Sequence, residues 1–446
     1  MSPSRTDALL RELPPAEAAA VLAVVAEAER RSLRLYLVGG PVRDWLLGRP
    51  LRDADLLVEA RGEFGAEALA RAAAPEGARV VPHGRFGTVR IETGDGAVDL
   101  ATVRSEVYAR PGALPTVAPG TLEDDLERRD FTVNALAVPL TQAARQDRPA
   151  VIDPGQARHD LESRVLRVFH RRSFHDDPSR ALRAARLAAR LGFRLSRGSR
   201  TALRDALRDG AVGAVSGDRL RREIEKLFEE PLLGGDPARA LRFLGEWHVL
   251  GAMEPGLSLP AAAAPVVRRL GRVLADPPWA PARRLRPWAA GLAVWLAALD
   301  ATQRRRTLRR LAVRGELSEN LRSFPRDRDR WLRAIGKARG RGALDAVLGS
   351  IDDERLLALF VSAGVPVRKR IQRWALEDRG RRLPVSGSDL TALGLSGPVV
   401  GTALAQIRRG VLDGQVESRE EALAVAHEVA ARAAKTPAPR RRARRS

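Results

Sequence analysis

Residues Val38–Val58 read VGGPVRDWLLGRPLRDADLLV. The apolar run Leu33–Val38 that leads into them is rich in strand formers and stops at Gly39 and Gly40. A short helix is predicted next, with Pro41 in its first turn and Gly48 just past its end. A second strand, Asp53–Val58, follows. Residues two apart on a strand share a face, so Asp53 and Asp55 project side by side. Two adjacent carboxylates cannot both ionise cheaply without a cation between them, and magnesium, a hard ion that prefers oxygen ligands, suits the pair. Gly39 and Gly40 place backbone amides near a helix start, a seat for phosphate. Each feature alone is commonplace, since Asp-x-Asp is more often a solvated edge and Gly-Gly a plain turn. Their combination at this spacing is specific.

Outward from this stretch, residues 15–31 are predicted helical, as is Glu63–Ala73, with strands at Arg79–Val81, Thr88–Glu92 and Val98–Thr102. Mixed strands and helices to about residue 155 imply an α/β domain. From about residue 160 the pattern is almost wholly helical, with Pro-, Gly- or Ala-rich breaks at Gly234–Pro237, Glu254–Pro265, Asp276–Pro287 and Leu383–Gly387. The expected division is a head at 1–155, a helical neck at 156–265, a body at 266–382 and a tail at 383–435. The last stretch, 436–446, is arginine-rich and expected to be disordered.

The 446-residue chain has 44% apolar residues, ample for real cores, but only 4% aromatic ones, so Leu, Val and Ala must fill them. Its net charge of +22 points to a polyanionic partner, nucleic acid ahead of anionic lipid, because no amphipathic anchor or lipidation motif stands out. The bland reading of that charge is an arginine-rich surface in a GC-rich genome. With no cysteine, disulfides and thiolate metal sites are excluded. No apolar run approaches the roughly 20 residues that span a bilayer, and the first residues lack a signal core; a cytoplasmic protein is expected.

Val38–Val58 resembles the head-domain signature of class II tRNA nucleotidyltransferases and the related bacterial poly(A) polymerases, members of the DNA polymerase-beta-like superfamily. The resemblance continues in order through Asp99 in GAVDLATVR, LEDDLERRDFTVNALAV (122–138), VIDPGQARHDLESRVLRVF (151–169) and HDDPSRALRAARLAARLGF (175–193). Weaker similarity covers SGDRLRREIEKLF (216–228) and LPVSGSDLTALGLSGPVVG (383–401). It implies an α/β nucleotidyltransferase head followed by an all-α neck, body and tail.

By that resemblance Asp53 and Asp55 hold two magnesium ions, and Asp99 helps position or deprotonate an attacking 3′-hydroxyl. Gly39, Gly40 and Arg43 are placed at the nucleotide, Arg43 on its phosphates. Arg129 aligns with the nucleotide-binding arginine of the RRD motif, with Asp130 and Asn134 near the ribose; the structural alternative for Asp130, Thr132 or Asn134 is a helix cap. Asp177 is expected to begin a helix with Pro178 in its first turn and Gly192 at its end. Arg180, Arg183 and Arg186 recur every third residue on one face, and without the upstream motifs would read as a solvated stripe. With them, Asp177 accepts from an exocyclic amino group while Arg180 donates to the adjacent ring nitrogen, a pairing that suits cytosine and adenine and repels uracil and guanine.

Three departures stand out. Ala54 separates the carboxylates where a larger residue is common, Asp176 stands where Glu is usual, and no His-Asp pair follows residue 176 to mark an appended phosphohydrolase. The segment SEVYARPGALPTVAPGTLEDD (105–125) reads as a flexible loop, which in the family helps switch from C to A addition. The implied reaction is addition of C and/or A from CTP and ATP to the 3′ end of tRNA, gripped by its acceptor and T stems. The alternatives are a poly(A) polymerase and, more remotely, a non-catalytic RNA-binding protein.

Overall fold

The structure, a computed structural model, describes residues 9–435 except 63, 84–86, 95, 109–111, 113–114, 147–149 and 282–284. The arginine-rich end, 436–446, lies outside the described residues. The chain forms two compact units, one from residues up to Glu223 with Arg239–Ser258, the other from Ile224–Ala238 with Leu259–Ser446.

The first unit is built on a six-stranded sheet of order β3-β4-β5-β2-β1-β8. Its strands are β1 (Leu35–Val38), β2 (Ala54–Val58), β3 (Arg79–His83), β4 (Thr88–Thr93), β5 (Gly96–Thr102) and β8 (Ala137–Pro139). Only the central β2–β5 pair is parallel; its register sets Asp55 opposite Asp99. All four β1 residues are buried, as expected for a strand covered on both faces. Helix α1 (Pro15–Arg30) begins with proline in its first turn, and α2 (Gly40–Leu46) joins β1 to β2. Helix α3 (Ala66–Ala73) is shorter at its start than the sequence suggested, and Glu63 is outside the described residues. Helix α4 (Leu122–Glu127) opens with a reciprocal capping box in which Thr121 and Asp124 satisfy each other's backbone N–H groups.

One expectation needs correction. The segment 105–125 is not simply a flexible loop, because its ends form an antiparallel ribbon, β6 (Arg104–Val107) with β7 (Thr116–Pro119), before α4 begins. Alternation is weak there and the Pro/Gly content masked it. The chain after residue 160 is almost wholly helical, as expected, with one short strand pair among the described residues. Val165–Leu166 (β9) pairs in parallel with Arg194–Leu195 (β10) and brackets helix Arg180–Leu191.

The second unit is helical wherever it is regular among the described residues. Its core includes the helix Pro287–Leu296, buried from Ala289 through Leu296. Gly291 in that helix lies against the Phe228 ring so closely that a β-carbon there would overlap it. Gly291→Ala sets a gain of up to ~1 kcal/mol in helix propensity against overpacking costs of about 1–3 kcal/mol. A net loss of about 1–2 kcal/mol is expected in denaturant unfolding of this unit. A more stable variant would show that the ring yields freely.

Candidate active site

All the residues singled out by sequence fall in the first unit. Ala54 is 1% exposed and Leu56 equally buried, so the alternation turns Asp53 and Asp55 to the opposite face, as expected. Asp55 stands next to Asp99 across the parallel pair. Asp53 sits at the exposed mouth, yet enough protein surrounds it that burial, then Asp44, raises its carboxyl pKa. Burial, then the neighbouring Asp53, pushes Asp55 from its ordinary 3.8 up to about 7. Among the described residues neither Asp53 nor Asp55 accepts a protein hydrogen bond. Asp99 differs, because Arg90 on β4 holds it through Nη2 at 3.2 Å and Nε at 3.1 Å.

Among the described residues no three His, Asp or Glu side chains stand as a metal cluster. That fits magnesium better than a fully protein-caged ion, since magnesium commonly takes one or two carboxylates and completes its shell with water and substrate phosphate. Two charge-crowded carboxylates with open lone pairs are a donor set of this kind.

Gly39 has φ 79°, a conformation that strains residues bearing a β-carbon. A β-carbon there would also come within 2.7 Å of Arg129 Nη1 and 3.8 Å of Asp55 Oδ2. The expectation of two free amides needs correction: Gly39 N–H donates to Leu136 O at 2.9 Å. Arg43 is 3% exposed and already committed. Its Nε and Nη2 reach the two oxygens of Asp44 at 2.9 and 2.8 Å, and its Nη1 reaches Asn134 Oδ1 at 2.5 Å. Asn134 in turn donates to Asp130 Oδ1 at 2.9 Å. The short 3-10 turn Thr132–Asn134 has no side chain on its first N–H groups, and Thr132 donates to Asp160 Oδ2 instead, but Asp130 Oδ1 accepts from Phe131 N at 2.9 Å where the turn begins.

The helix expected to select the base spans Arg180–Leu191 and ends at Gly192 with φ 75°. It does not begin at Asp177, which precedes it, and Pro178 lies outside it. Asp177 instead folds back on the helix start, accepting from Ser179 N at 3.1 Å and Ser179 Oγ at 2.6 Å. It also takes Arg183 Nη2 at 2.6 Å and Arg219 Nη2 at 2.8 Å. Burial would raise its pKa, but Arg183, the Ser179 hydroxyl and Arg219 outweigh burial and hold it at about 2. Arg180, 3% exposed, gives Nη1 to Ser173 Oγ and Nη2 to Arg128 O, the latter at 2.6 Å. Its Nε is buried and donates to nothing among the described residues.

Arg183 also faces Asp130 at 3.3 Å and Glu223 at 3.9 Å, and Arg186 donates to Glu223 at 3.0 Å. Burial would lower the Arg183 pKa, but Asp177, Asp130 and Glu223 hold it above its usual value. The three arginines are therefore not a solvated stripe. Asp176, in the place of the usual Glu, faces His170 at 3.7 Å. Sequence reasoning missed Arg219 and Glu223 on helix Gly217–Glu229, and Asp125 and Ser173 as partners of the named arginines. The i,i+4 spacing of Arg219 and Glu223 was the available signal.

Paired acids beside a glycine turn on this sheet define a nucleotidyltransferase head. A family model described as the poly A polymerase head domain matches residues 35–167. The CC-adding tRNA nucleotidyltransferase of Deinococcus radiodurans is 35% identical over 389 residues, 87% of this chain and 87% of that protein. The A-adding tRNA nucleotidyltransferase of Geobacter sulfurreducens is 30% identical over 407 residues, 88% of this chain. This chain spans only 45% of the Geobacter protein's length. The Thermotoga maritima CCA-adding enzyme, in complex with tRNA, matches with a TM-score of 0.65 and 25% identity, over 96% of this chain and 98% of that one. The chain belongs to the tRNA nucleotidyltransferase family. Among the described residues no helix is long and apolar enough to cross a membrane.

Asp55 carries a pH-dependent prediction. Its folded pKa lies above the unfolded one, so its contribution to stability is complete below about 3.8 and is lost as pH rises through about 7. In EDTA at pH 8, Asp55→Asn is expected to melt about 2–4 °C above the parent, roughly 1–2 kcal/mol, with the gap shrinking towards pH 5. Thermal melts across pH check this, and an Asn variant less stable than the parent at pH 8 would contradict the charge crowding.

Proposed function

We propose that this chain adds C and/or A, from CTP and ATP, to the 3′ end of tRNA. The observation that carries the proposal is the pair of open, crowded carboxylates beside the Gly39 turn, with Asp177 and Arg180 at the start of the selecting helix. The full-length likeness to a CC-adding relative and the shared fold with a tRNA-bound one support the tRNA substrate. The net charge of +22 suits tRNA, whose A-form stems present shape and phosphates rather than readable base edges.

Asp53 and Asp55 would hold divalent magnesium, which supplies activation of the 3′-hydroxyl and neutralisation of triphosphate and pyrophosphate charge. Asp99 flanks them on β5, where it is placed to orient the incoming hydroxyl once Arg90 gives way. Arg129, packed against Gly39, supplies positive charge on the triphosphate side. Arg43 is better read as a positioning residue, because Asp44 and Asn134 occupy its guanidinium. Asp130 and Asn134 form the ribose side of the site.

For base choice, the buried and unsatisfied Arg180 Nε matches a ring-nitrogen acceptor, as cytosine N3 or adenine N1 would provide. Among the described residues Asp177 Oδ2 has one hydrogen-bond donor, Arg183, leaving lone-pair capacity for an exocyclic amino group. Uracil and guanine present an N–H where Arg180 needs an acceptor, so they leave two donors facing each other.

The test offers purified protein tRNAs ending at the discriminator, after C and after CC, each with CTP, ATP, UTP or GTP singly. The expected result is incorporation of C, A or both on at least one tRNA, little U or G, and no product with Asp53→Asn. Long tracts on an oligo(A) primer would favour the poly(A) polymerase reading, and tRNA binding without any incorporation the non-catalytic one. Arg180→Ala is expected to cut discrimination against UTP at least about tenfold, near 1.4 kcal/mol, while changing triphosphate affinity less.

A further inference from the structure

We infer that Asp125 is the positioning residue that orients both halves of the nucleotide site through one buried carboxylate, an inference that rests on the base-selecting reading of Arg180. Asp125 is 0% exposed. A buried carboxylate is tolerable only when paired and hydrogen-bonded. Its partners are two neighbouring arginines, three and four residues on, at and just past the C-terminal end of α4. Asp125 Oδ2 accepts from Arg128 Nε at 3.0 Å and Nη2 at 2.6 Å, and Oδ1 accepts from Arg129 Nη2 at 3.3 Å.

Each arginine leads to a different half of the site. The Arg128 carbonyl accepts from Arg180 Nη2 at 2.6 Å, and Ser173 Oγ receives the other terminal nitrogen. Two fixed acceptors set the plane of the Arg180 guanidinium and hence the direction of its unsatisfied Nε–H. Arg129 lies against the Gly39 turn, where its charge stabilises ionised Asp55. Its Nη1 reaches Asn134 O at 3.4 Å.

A second clamp secures Arg128 from the β6 ribbon. Glu106, 7% exposed, accepts Arg128 Nη1 at 2.8 Å, Arg104 Nη2 at 3.1 Å and the Tyr108 hydroxyl at 3.0 Å. Arg128 is thus held at two points of its side chain, and its carbonyl is held in consequence. Without the Asp125 charge, Arg128 keeps Glu106 alone and Arg129 loses the one carboxylate it bonds among the described residues, and the Arg180 plane is released. Base discrimination then falls more than triphosphate binding, a pattern that loss of fold stability alone does not give.

The experiment compares Asp125→Asn, nearly isosteric but uncharged, with Asp124→Asn. The Asp124 side chain serves the capping box of the same helix and bonds neither arginine side chain; its only link to Arg128 is a backbone one, from Arg128 N–H to Asp124 O, which the substitution leaves in place. For Asp125→Asn, the ratio of kcat/KM for CTP or ATP over UTP is expected to fall at least about tenfold, 1.4 kcal/mol, mainly through kcat for the correct nucleotide. Asp124→Asn should lower the melting temperature and leave that ratio within about twofold. Equilibrium binding of CTP against UTP gives a second readout without turnover. Glu106→Gln removes the other clamp and covers a poorly folded Asp125→Asn; a smaller loss in the same direction is expected. An unchanged ratio in folded Asp125→Asn, an unchanged ratio in Glu106→Gln if the first does not fold, or an equal loss in Asp124→Asn overturns the inference. Arg180→Ala separates the two levels. If it relaxes discrimination while Asp125→Asn does not, the anchor role alone fails; if it leaves preference intact, the base-selecting reading fails and the anchor role falls with it.

Discussion

Crowded negative charge on one face of the β2–β5 pair governs the site. Asp53, Asp55 and Asp99 are brought together by strand register, with Asp55 set directly beside Asp99. In a folded domain such crowding costs free energy, and it shows in the raised pKa of Asp55. The surrounding arginines do not simply cancel it. Arg90 takes Asp99, Arg43 takes Asp44, and Arg129 is shared with Asp125, while the oxygens of Asp53 and Asp55 are left for another partner. The arrangement is what a cation-binding head needs, and a site built for stability alone would pair those two acids first.

The start of helix Arg180–Leu191 follows the opposite rule. Asp177 is buried and Arg183 half-buried, and the two are paired with each other, with Arg219 and Glu223 completing the network. Such pairs add little net stability over apolar packing, but breaking one leaves an uncompensated buried charge. They hold side chains in one geometry, as a protein template requires. One half of the site is kept electrostatically hungry and the other rigid, and Asp125 lies between them.

Much of this was legible in the sequence. A strand carrying Asp55 and a glycine turn before a short helix follow from local periodicity and spacing, and the sheet has both, although β2 begins at Ala54 and leaves Asp53 just before it. What escaped was the identity of partners. Glu223 lies 37 residues beyond Arg186, and Ser173 and Arg128, which hold Arg180, lie 7 and 52 residues before it. No local pattern announces such pairings. The free Gly39 amide was misjudged for the same reason, since its acceptor, Leu136 O, comes from the approach to β8. The β6–β7 ribbon was missed because proline and glycine between its strands outweigh a weak alternation. Arginines spaced every third residue looked like a solvated face, and only the packed helix Gly217–Glu229 makes them interior.

The strand order also bears on synthesis. β1 lies between β2 and β8, and β8 is made about a hundred residues after β1. At ribosomal speeds of about 5–20 residues per second, the outer edge of β1 waits roughly 5–20 s for its neighbour. A nascent chain in that interval carries an apolar strand with one open edge, the kind of surface that chaperones shield and that aggregates when unshielded. The head therefore closes late, and Leu136, which fixes the Gly39 turn, arrives with the strand that closes it.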